Sequence, residues 1–205
     1  MNNIIKFVRN ELLNDHSGHD IKHIERVVNN AKKIMSVEGG NGKIIITACY
    51  LHDVIDKKLY DNIEEQKNKV YNILKENNYN NEEIDEIMDI ISSISYNNGN
   101  FKELNTINSM IVRDADRLDA IGSIGIIRAI EYGASKQRSF YEEQNIIVQN
   151  NNLTFNKSTD TTLSHFYDKL LKLEDLMLTS EAKRLAKKRT IMMKTFLDNF
   201  YEELK

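Results

Sequence analysis

The sequence predicts an all-α fold, with residues 1–205 forming a single domain. Apolar residues recur at spacings of three and four along almost the whole chain, whereas the strict alternation of a half-buried β-strand is scarce. The chain contains no proline, so no residue forcibly interrupts a helix. We therefore expect the helices to end at glycine and asparagine.

The first half of the chain is predicted to contain five helices, each marked by an apolar stripe at helical spacing. Asp20 can cap the start of the second helix, and Gly39 with Gly40 can end it. Either Asn80 or Asn81 can cap the fifth. The predicted ranges are 3–14, 21–37, 43–53, 63–77 and 82–95.

The second half is predicted to begin with a long helical stretch, 106–134, that is interrupted or loosened around Gly122 and Gly125. The next segment, 136–159, is rich in Asn, Gln and Ser and is predicted to be a long loop, with a short extended piece at I-I-V (146–148). Two helices, at 160–176 and 180–204, are predicted to close the chain.

Composition and charge exclude several classes of protein. A net charge of -3 provides no basic face for duplex nucleic acid. No apolar run approaches the roughly 20 residues of a membrane span. The single cysteine cannot form an internal disulfide, which is typical of a reducing compartment, so we expect a cytoplasmic protein.

Histidines that lie close to acidic residues indicate a metal site. His23 lies on the second predicted helix, and His52 and Asp53 lie at the end of the third. The helical stretch that follows carries three acids among apolar residues: Asp114, Asp116 and Asp119. Charged side chains are rarely buried without a partner, so these acids need cations, solvent or a metal.

Helical spacing separates the three acids. Asp116 and Asp119 are three residues apart and share a face, whereas Asp114 lies roughly opposite Asp116. We expect one face to offer a ligand with a supporting carboxylate, and Asp114 to be solvated or paired with Arg113 or Arg117. Imidazole together with carboxylate suits Mn, Fe, Co, Ni or Zn, while an oxygen-only site would suit Mg or Ca.

In this order, the three segments resemble the HD superfamily of metal-dependent phosphohydrolases. The first histidine lies in H-x-x-R-V, the His-Asp pair in L-H-D-V-I-D, and the last aspartate in D-A-D-R-L-D-A-I-G. The likeness is to the small bacterial YpgQ/YedJ-like branch, reported as nucleotide pyrophosphohydrolases, and it extends to H-F-Y-D-K-L-L-K-L near the C-terminus. It implies an HD core at about 20–135, followed by C-terminal helices at about 160–205.

The resemblance implies one divalent metal ion, with Mn, Co, Ni, Fe and Mg left open. The ligands that it implies are His23, His52, Asp53 and Asp116. Asp53 and Asp56 are the implied catalytic residues: Asp53 orients a water activated by the metal, and Asp56 moves its proton.

Further residues are assigned more loosely. The candidates for binding substrate phosphate are Lys57, Arg117, Arg128, His165 and Lys169. Three residues are candidates for contacting the metal ligands without contacting the metal: Asp119, Arg26 and Asp61. Of these, Asp119 could orient a ligand histidine. For Arg26 and Arg117, a structural pairing with helix carboxylates is the simpler interpretation.

The function predicted from these residues is hydrolysis of a nucleotide, with cleavage of a nucleoside or deoxynucleoside triphosphate to monophosphate and pyrophosphate. A nucleotidase and a phosphodiesterase for cyclic or signalling nucleotides are alternatives, because the same metal site would serve all three. A metal-binding regulatory protein without turnover is a third alternative. The expected partner is a small nucleotide, with neither duplex nucleic acid nor membrane, and a homodimer is left open.

Overall fold

The computed structural model describes residues 1–13, 20–56, 59–94, 104–142, 146–149, 152–155 and 161–204. Within the chain, contacts define two compact units. The first unit comprises Met1–Asp116 with Leu178–Ala182, and the second comprises Arg117–Met177 with Lys183–Lys205. The prediction of one domain stays a prediction.

Helices form nearly all of the regular structure, so the all-α prediction is confirmed. None of the helices among the described residues has the length and hydropathy needed to cross a membrane. The α-helices are α1 Asn2–Glu11, α2 Ile21–Glu38, α3 Gly42–Leu51, α4 Ile63–Glu76, α5 Asn81–Ile94, α6 Ile107–Asp119, α7 Gly122–Ser135, α8 Thr162–Asp168 and α9 Ser180–Glu203. Short 3₁₀ helices span His52–Ile55 and Leu170–Lys172, and two strands, β1 and β2, span Ile146–Gln149 and Asn152–Phe155.

Helix α3 lies in the core of the first unit and packs against α1, α2 and α5. Its sequence, G-K-I-I-I-T-A-C-Y-L, is apolar almost all round, and such helices are buried because no face of them suits water. Complete burial of a large aliphatic side chain such as Ile45 contributes roughly 1.5–3 kcal/mol. This burial fixes the position at which α3 delivers the residues that follow it.

Polar side chains define the predicted helix ends. Asp20 accepts a hydrogen bond from the backbone N–H of His23 at 2.8 Å, and α2 stops at Gly39, whose φ is 77°. Asn80 and Glu83 each accept a hydrogen bond from the backbone N–H of the other, at 2.9 and 3.1 Å. The predictions for the ends of α2 and for the Asn80 cap are therefore confirmed.

The predicted interruption near Gly122 and Gly125 is also confirmed. Helix α6 ends at Asp119, and α7 begins at Gly122, whose φ of 81° suits glycine. At Gly125, an added Cβ would collide with the backbone oxygen of Ala120. The turn between the two helices therefore leaves no room for a side chain at that position.

The prediction of one helix over 160–176 is wrong. Helix α8 ends at Asp168 because Lys169 leaves helical geometry, with φ -132° and ψ -59°, and a short 3₁₀ helix follows. The chain beyond this break still buries Leu170, Leu173 and Met177. Because these residues keep the three- and four-residue spacing of an α-helix, the apolar pattern does not reveal the break.

The extended piece predicted at I-I-V is confirmed as strand β1. It pairs antiparallel with β2, and Ile146 lies opposite Phe155. The sequence analysis missed β2, because N-L-T-F alternates over only four residues and is surrounded by polar residues.

Asp114 is buried and has a structural role at the start of α9. Its carboxylate is completely buried and accepts hydrogen bonds from the backbone N–H groups of Leu178, at 3.0 Å, and Thr179, at 2.8 Å, and from the Thr179 hydroxyl. The predicted solvated position is therefore wrong. Burial raises the pKa of Asp114, and the hydrogen bonds and the charge of Arg113 act in the opposite direction.

Glu38, the last residue of α2, provides a second support for the start of α9. Its Oε1 accepts hydrogen bonds from the Ser180 hydroxyl at 2.6 Å and from the backbone N–H of Glu181 at 2.7 Å. The first N–H groups of a helix have no partner within that helix, so acceptors on α2 and α6 satisfy the N-terminus of α9.

The second unit has an aromatic core. Phe166 of α8 stacks on Phe196 of α9, with ring centroids 6.2 Å apart. Phe140 meets Phe200 edge to face at 5.1 Å, a geometry that aromatic pairs favour. Helix α9 therefore supplies one side of this core.

We expect Gly125→Ala to destabilise the protein by about 1–3 kcal/mol, because the new methyl group would meet a backbone oxygen that cannot move aside. Gly42→Ala is the matched control: the new Cβ would lie 3.8 Å from Met35 Cε, which is ordinary van der Waals contact, and alanine favours a helix. Denaturant unfolding measures both variants. Equal free energies of unfolding in the two would contradict the close approach at Gly125.

Candidate metal centre

Four side chains from three segments of the first unit converge on a small volume. His23 Nε2 lies 3.4 Å from Asp53 Oδ2 and 3.4 Å from Asp116 Oδ1. His52 Nε2 lies 3.2 Å from Asp53 Oδ1 and 3.6 Å from Asp116 Oδ1. These are the four residues predicted as metal ligands, so the structure brings that set together; their role as ligands stays a prediction.

The change from α3 to a 3₁₀ helix places His52 and Asp53. The 3₁₀ helix begins at His52, and the four residues His52–Ile55 are all buried. The Nδ1 atom of His52 lies 2.8 Å from the backbone oxygen of Cys49. In a neutral imidazole this hydrogen bond requires the proton on Nδ1, so the lone pair of Nε2 faces the carboxylates.

His23 is placed by the start of α2. It occupies the first turn, where its backbone N–H is held by the Asp20 cap. Its side chain and that of His52 meet edge to face, with ring centroids 5.4 Å apart. The first ligand candidate is therefore set by a helix cap and the next two by a helix end, both of which are local features of the sequence.

Water can reach the cluster mainly beside Asp116. The side chains of His23, His52 and Asp53 are 3–5% exposed, whereas that of Asp116 is 31% exposed. Three of the groups are thus held in a dry environment, where charges interact strongly, and one lies beside solvent. This asymmetry gives a substrate one side from which to approach.

The charges of the cluster are coupled. Burial opposes protonation of His52, but the carboxylates of Asp53 and Asp116 outweigh it and raise the pKa of His52 to about 10. Burial would raise the pKa of Asp116, yet the two facing histidines hold it well below its usual range. The carboxylates therefore attract a positive charge into the space between the imidazoles.

The donor atoms fit a divalent metal ion. One ligand atom from each of His23, His52 and Asp53 lies within 4.8 Å of the others. Atoms about 2.1 Å from a shared ion are about 3.0 Å apart at a right angle and about 3.4 Å apart at a tetrahedral angle, close to the separations found here. His52 Nε2 is buried, and no described residue meets it with hydrogen-bond geometry.

The other acids predicted near the site lie on the segment after the 3₁₀ helix. Asp56 directly follows that helix, is partly buried, and donates its backbone N–H to Asp53 O at 3.1 Å. Asp61 is exposed. Lys57 falls outside the described residues. The catalytic role of Asp56 and the supporting role of Asp61 stay predictions.

Four of the candidates for binding phosphate lie in the second unit, where two have structural contacts. Arg117 donates a hydrogen bond to the backbone oxygen of Leu176 at 2.9 Å. Arg128 forms an ion pair with the buried carboxylate of Asp119. Arg128, a candidate for binding phosphate, and Asp119, a candidate for supporting a metal ligand, are thus paired with each other.

The remaining candidates are partly buried. They are Arg26 on α2, His165 on α8 and Lys169 at the end of α8. Their predicted roles in binding phosphate or supporting the ligands stay predictions.

The sequence analysis missed Asn30, a buried residue of α2. Its Nδ2 donates a hydrogen bond to the backbone oxygen of Ala115 at 3.1 Å. The sequence could have indicated it: Asn30 follows His23 by seven residues and lies on the face of α2 that carries Val27 and Ile34, where an amide is unexpected.

Comparison with known proteins places the chain in a family. Residues 20–121 match the HD domain family. YpgQ of Bacillus subtilis is 32% identical over 200 residues, which cover 97% of this chain and 90% of that protein.

Solved structures extend the likeness to the fold. The crystal structure of Bacillus subtilis YpgQ in complex with ADP has a TM-score of 0.80 at 32% identity, and the match covers 98% of this chain and 96% of that one. An HD-superfamily hydrolase from Bacillus thuringiensis has a TM-score of 0.79 at 38% identity, with 99% and 95% covered. The match to the HD domain, the extent of these likenesses and the cluster of two histidines with aspartate show that the chain belongs to the HD superfamily of metal-dependent phosphohydrolases.

Proposed function

We propose that this enzyme hydrolyses a nucleotide, and that it cleaves a nucleoside or deoxynucleoside triphosphate to monophosphate and pyrophosphate. The observation that carries the proposal is the convergence of two imidazoles and two carboxylates, with ring nitrogens and carboxylate oxygens 3.2–3.6 Å apart. Under this proposal, His23, His52, Asp53 and Asp116 hold one divalent ion. When bound, such an ion supplies hydroxide near neutral pH and stabilises charge on a phosphoryl group.

The protein groups in this proposal have separate tasks. The ring of His52 is held by the backbone oxygen of Cys49, and the backbone of His23 is fixed by the Asp20 cap, so both residues need little reorganisation when substrate binds. Asp53 would supply its carboxylate to the ion and orient the attacking water beside it. Asp56 accepts the proton of that water; it follows Asp53 by three residues, at the end of the same short helix.

The choice of a nucleotide is supported by the ADP complex of YpgQ, a relative that this chain matches over 98% of its length. ADP carries a base, a sugar and two phosphates, so a fold of this kind accommodates a whole nucleotide. The cut between the α- and β-phosphates is proposed from the resemblance to the pyrophosphohydrolase branch. The alternatives are a nucleotidase, which would release inorganic phosphate, and a phosphodiesterase, which would cleave a diester.

The proposal also covers the location of the protein, the identity of the ion and the oligomeric state. We infer a cytoplasmic location from the single cysteine, which is buried. Mn, Co, Ni, Fe and Mg are the ions to test, and the mixed imidazole and carboxylate donors favour the first four over Mg. A homodimer stays a prediction.

We expect the double variant His52→Ala/Asp53→Ala to lose both the bound metal and hydrolysis, because it removes two of the four donors. Metal analysis of the purified protein, together with turnover of a nucleotide panel, measures the two effects. Thr47→Val is the control: it removes a buried 2.6 Å hydrogen bond between Thr47, on the preceding helix α3, and Tyr79, outside the cluster. Full hydrolysis by the double variant would disprove the proposed site.

Product analysis tests the proposed cut. With a nucleoside triphosphate we expect equal amounts of monophosphate and pyrophosphate, because the proposed cut lies between the α- and β-phosphates. Chromatography of the nucleotides, with separate assays for pyrophosphate and phosphate, distinguishes the outcomes. Diphosphate with inorganic phosphate would contradict the cut, and turnover of cyclic nucleotides alone would favour a phosphodiesterase.

We expect Asp56→Asn to lower kcat by about 10²–10⁴ while metal binding is retained, because the amide cannot accept the proton. Steady-state kinetics and metal titration measure the two quantities. The matched control is Asp85→Asn, which neutralises an exposed acid on α5. An unchanged kcat in Asp56→Asn would remove Asp56 from the mechanism and leave the metal site untouched.

A further inference from the structure

Asn30 is a buried amide on the same helix as His23. It follows His23 by seven residues, which is close to two helical turns, so both lie on one face of α2. The neighbouring positions on this face are apolar, and Val27 and Ile34 are completely buried. An amide among such residues is costly unless its polar atoms are bonded.

The Asn30 amide joins the two long helices that carry ligand candidates. Its Nδ2 donates to the backbone oxygen of Ala115 at 3.1 Å. Ala115 is completely buried and directly precedes Asp116. The hydrogen bond therefore runs from the His23 helix to the peptide unit that bears the Asp116 side chain.

This contact is directional, whereas the apolar contacts around it are not. Isoleucine and valine side chains tolerate small shifts between packed helices, but a hydrogen bond loses most of its strength when its angle or length changes. A carbonyl oxygen has two lone pairs, so that of Ala115 can accept from Asn30 as well as within α6. Asn30 can thus prevent α6 from sliding or rotating against α2, and α6 keeps its own backbone hydrogen bond at Ala115.

We propose that Asn30 is a positioning residue, which holds Asp116 in register with His23 so that both reach one metal ion. The inference rests on the proposed metal site. Productive sites hold their donors within about 0.5 Å, and loss of a directional contact between the helices allows shifts of that size. Asn30 itself touches neither the ion nor the substrate.

The test is a metal titration of Asn30→Leu, which keeps the approximate volume of the side chain and removes its donor. We expect the dissociation constant for Mn²⁺ or Co²⁺ to rise about 10-fold, the lower end of the effect of residues that support metal ligands. We also expect the visible absorption of the Co²⁺ protein to change, because that spectrum reports ligand geometry. A loss of fold stability alone would change neither quantity.

Asn108→Leu is the matched control. Like Asn30, Asn108 is a buried amide, but it lies on α6. It accepts a hydrogen bond from the backbone N–H of Asn41 and donates one to Glu86, both at 2.8 Å. It lies two turns before Asp116, so its loss should lower stability while the dissociation constant and the Co²⁺ spectrum stay those of the wild type.

The outcomes separate this inference from the function on which it rests. If the wild type and Asn108→Leu bind metal and Asn30→Leu binds it equally well with the same spectrum, the positioning role is disproved and the metal site stands. If the wild type binds no metal, both proposals fall. Should a leucine variant not fold, Asn30→Ala and Asn108→Ala replace the pair, with the same expected contrast.

Discussion

The exclusion of water around Asp53 is the constraint on which the metal centre depends. An ionised carboxylate in a dry interior costs several kcal/mol unless positive charge or hydrogen bonds compensate for it. Here the Nε2 atoms of His23 and His52 lie 3.4 and 3.2 Å from its two oxygens. Each imidazole directs one ring nitrogen at Asp53, so the orientation of the rings decides whether the carboxylate charge is compensated. For His52, the backbone oxygen of Cys49 fixes that orientation through the second ring nitrogen.

The contacts that place the ligand candidates lie where a helix begins, where a helix ends, and where one helix is hydrogen-bonded to another. His52 is steadied through Nδ1 by the backbone oxygen of Cys49, at the change from α3 to a 3₁₀ helix. His23 follows a capped helix start, and Asn30 connects the same helix to the backbone beside Asp116. Rigid placement of this kind lowers the cost of assembling a site, because less conformational entropy is lost on binding.

Two aspartates of α6, only two residues apart, have opposite functions. Asp114 is completely buried and accepts backbone N–H groups at the start of α9, whereas Asp116 is partly exposed and faces two histidines. The spacing correctly separates their faces, because residues two apart on a helix point in different directions. It does not say which neighbour each face meets, and the solvated position expected for Asp114 was wrong for that reason.

The sequence by itself determined the fold class, most helix bounds, the Asp20 cap and the four candidate ligands, because these follow from local spacing, local hydrogen bonds and a family pattern. It left the cap of α5 open between Asn80 and Asn81, and the structure decided for Asn80. The sequence did not determine the end of α8, where apolar spacing continues through the break. Nor did it assign Asn30 and Asp114, whose partners lie 85 and 65 residues away along the chain. Only the tertiary structure decided these roles, because a buried polar group is explained by the groups that surround it in space.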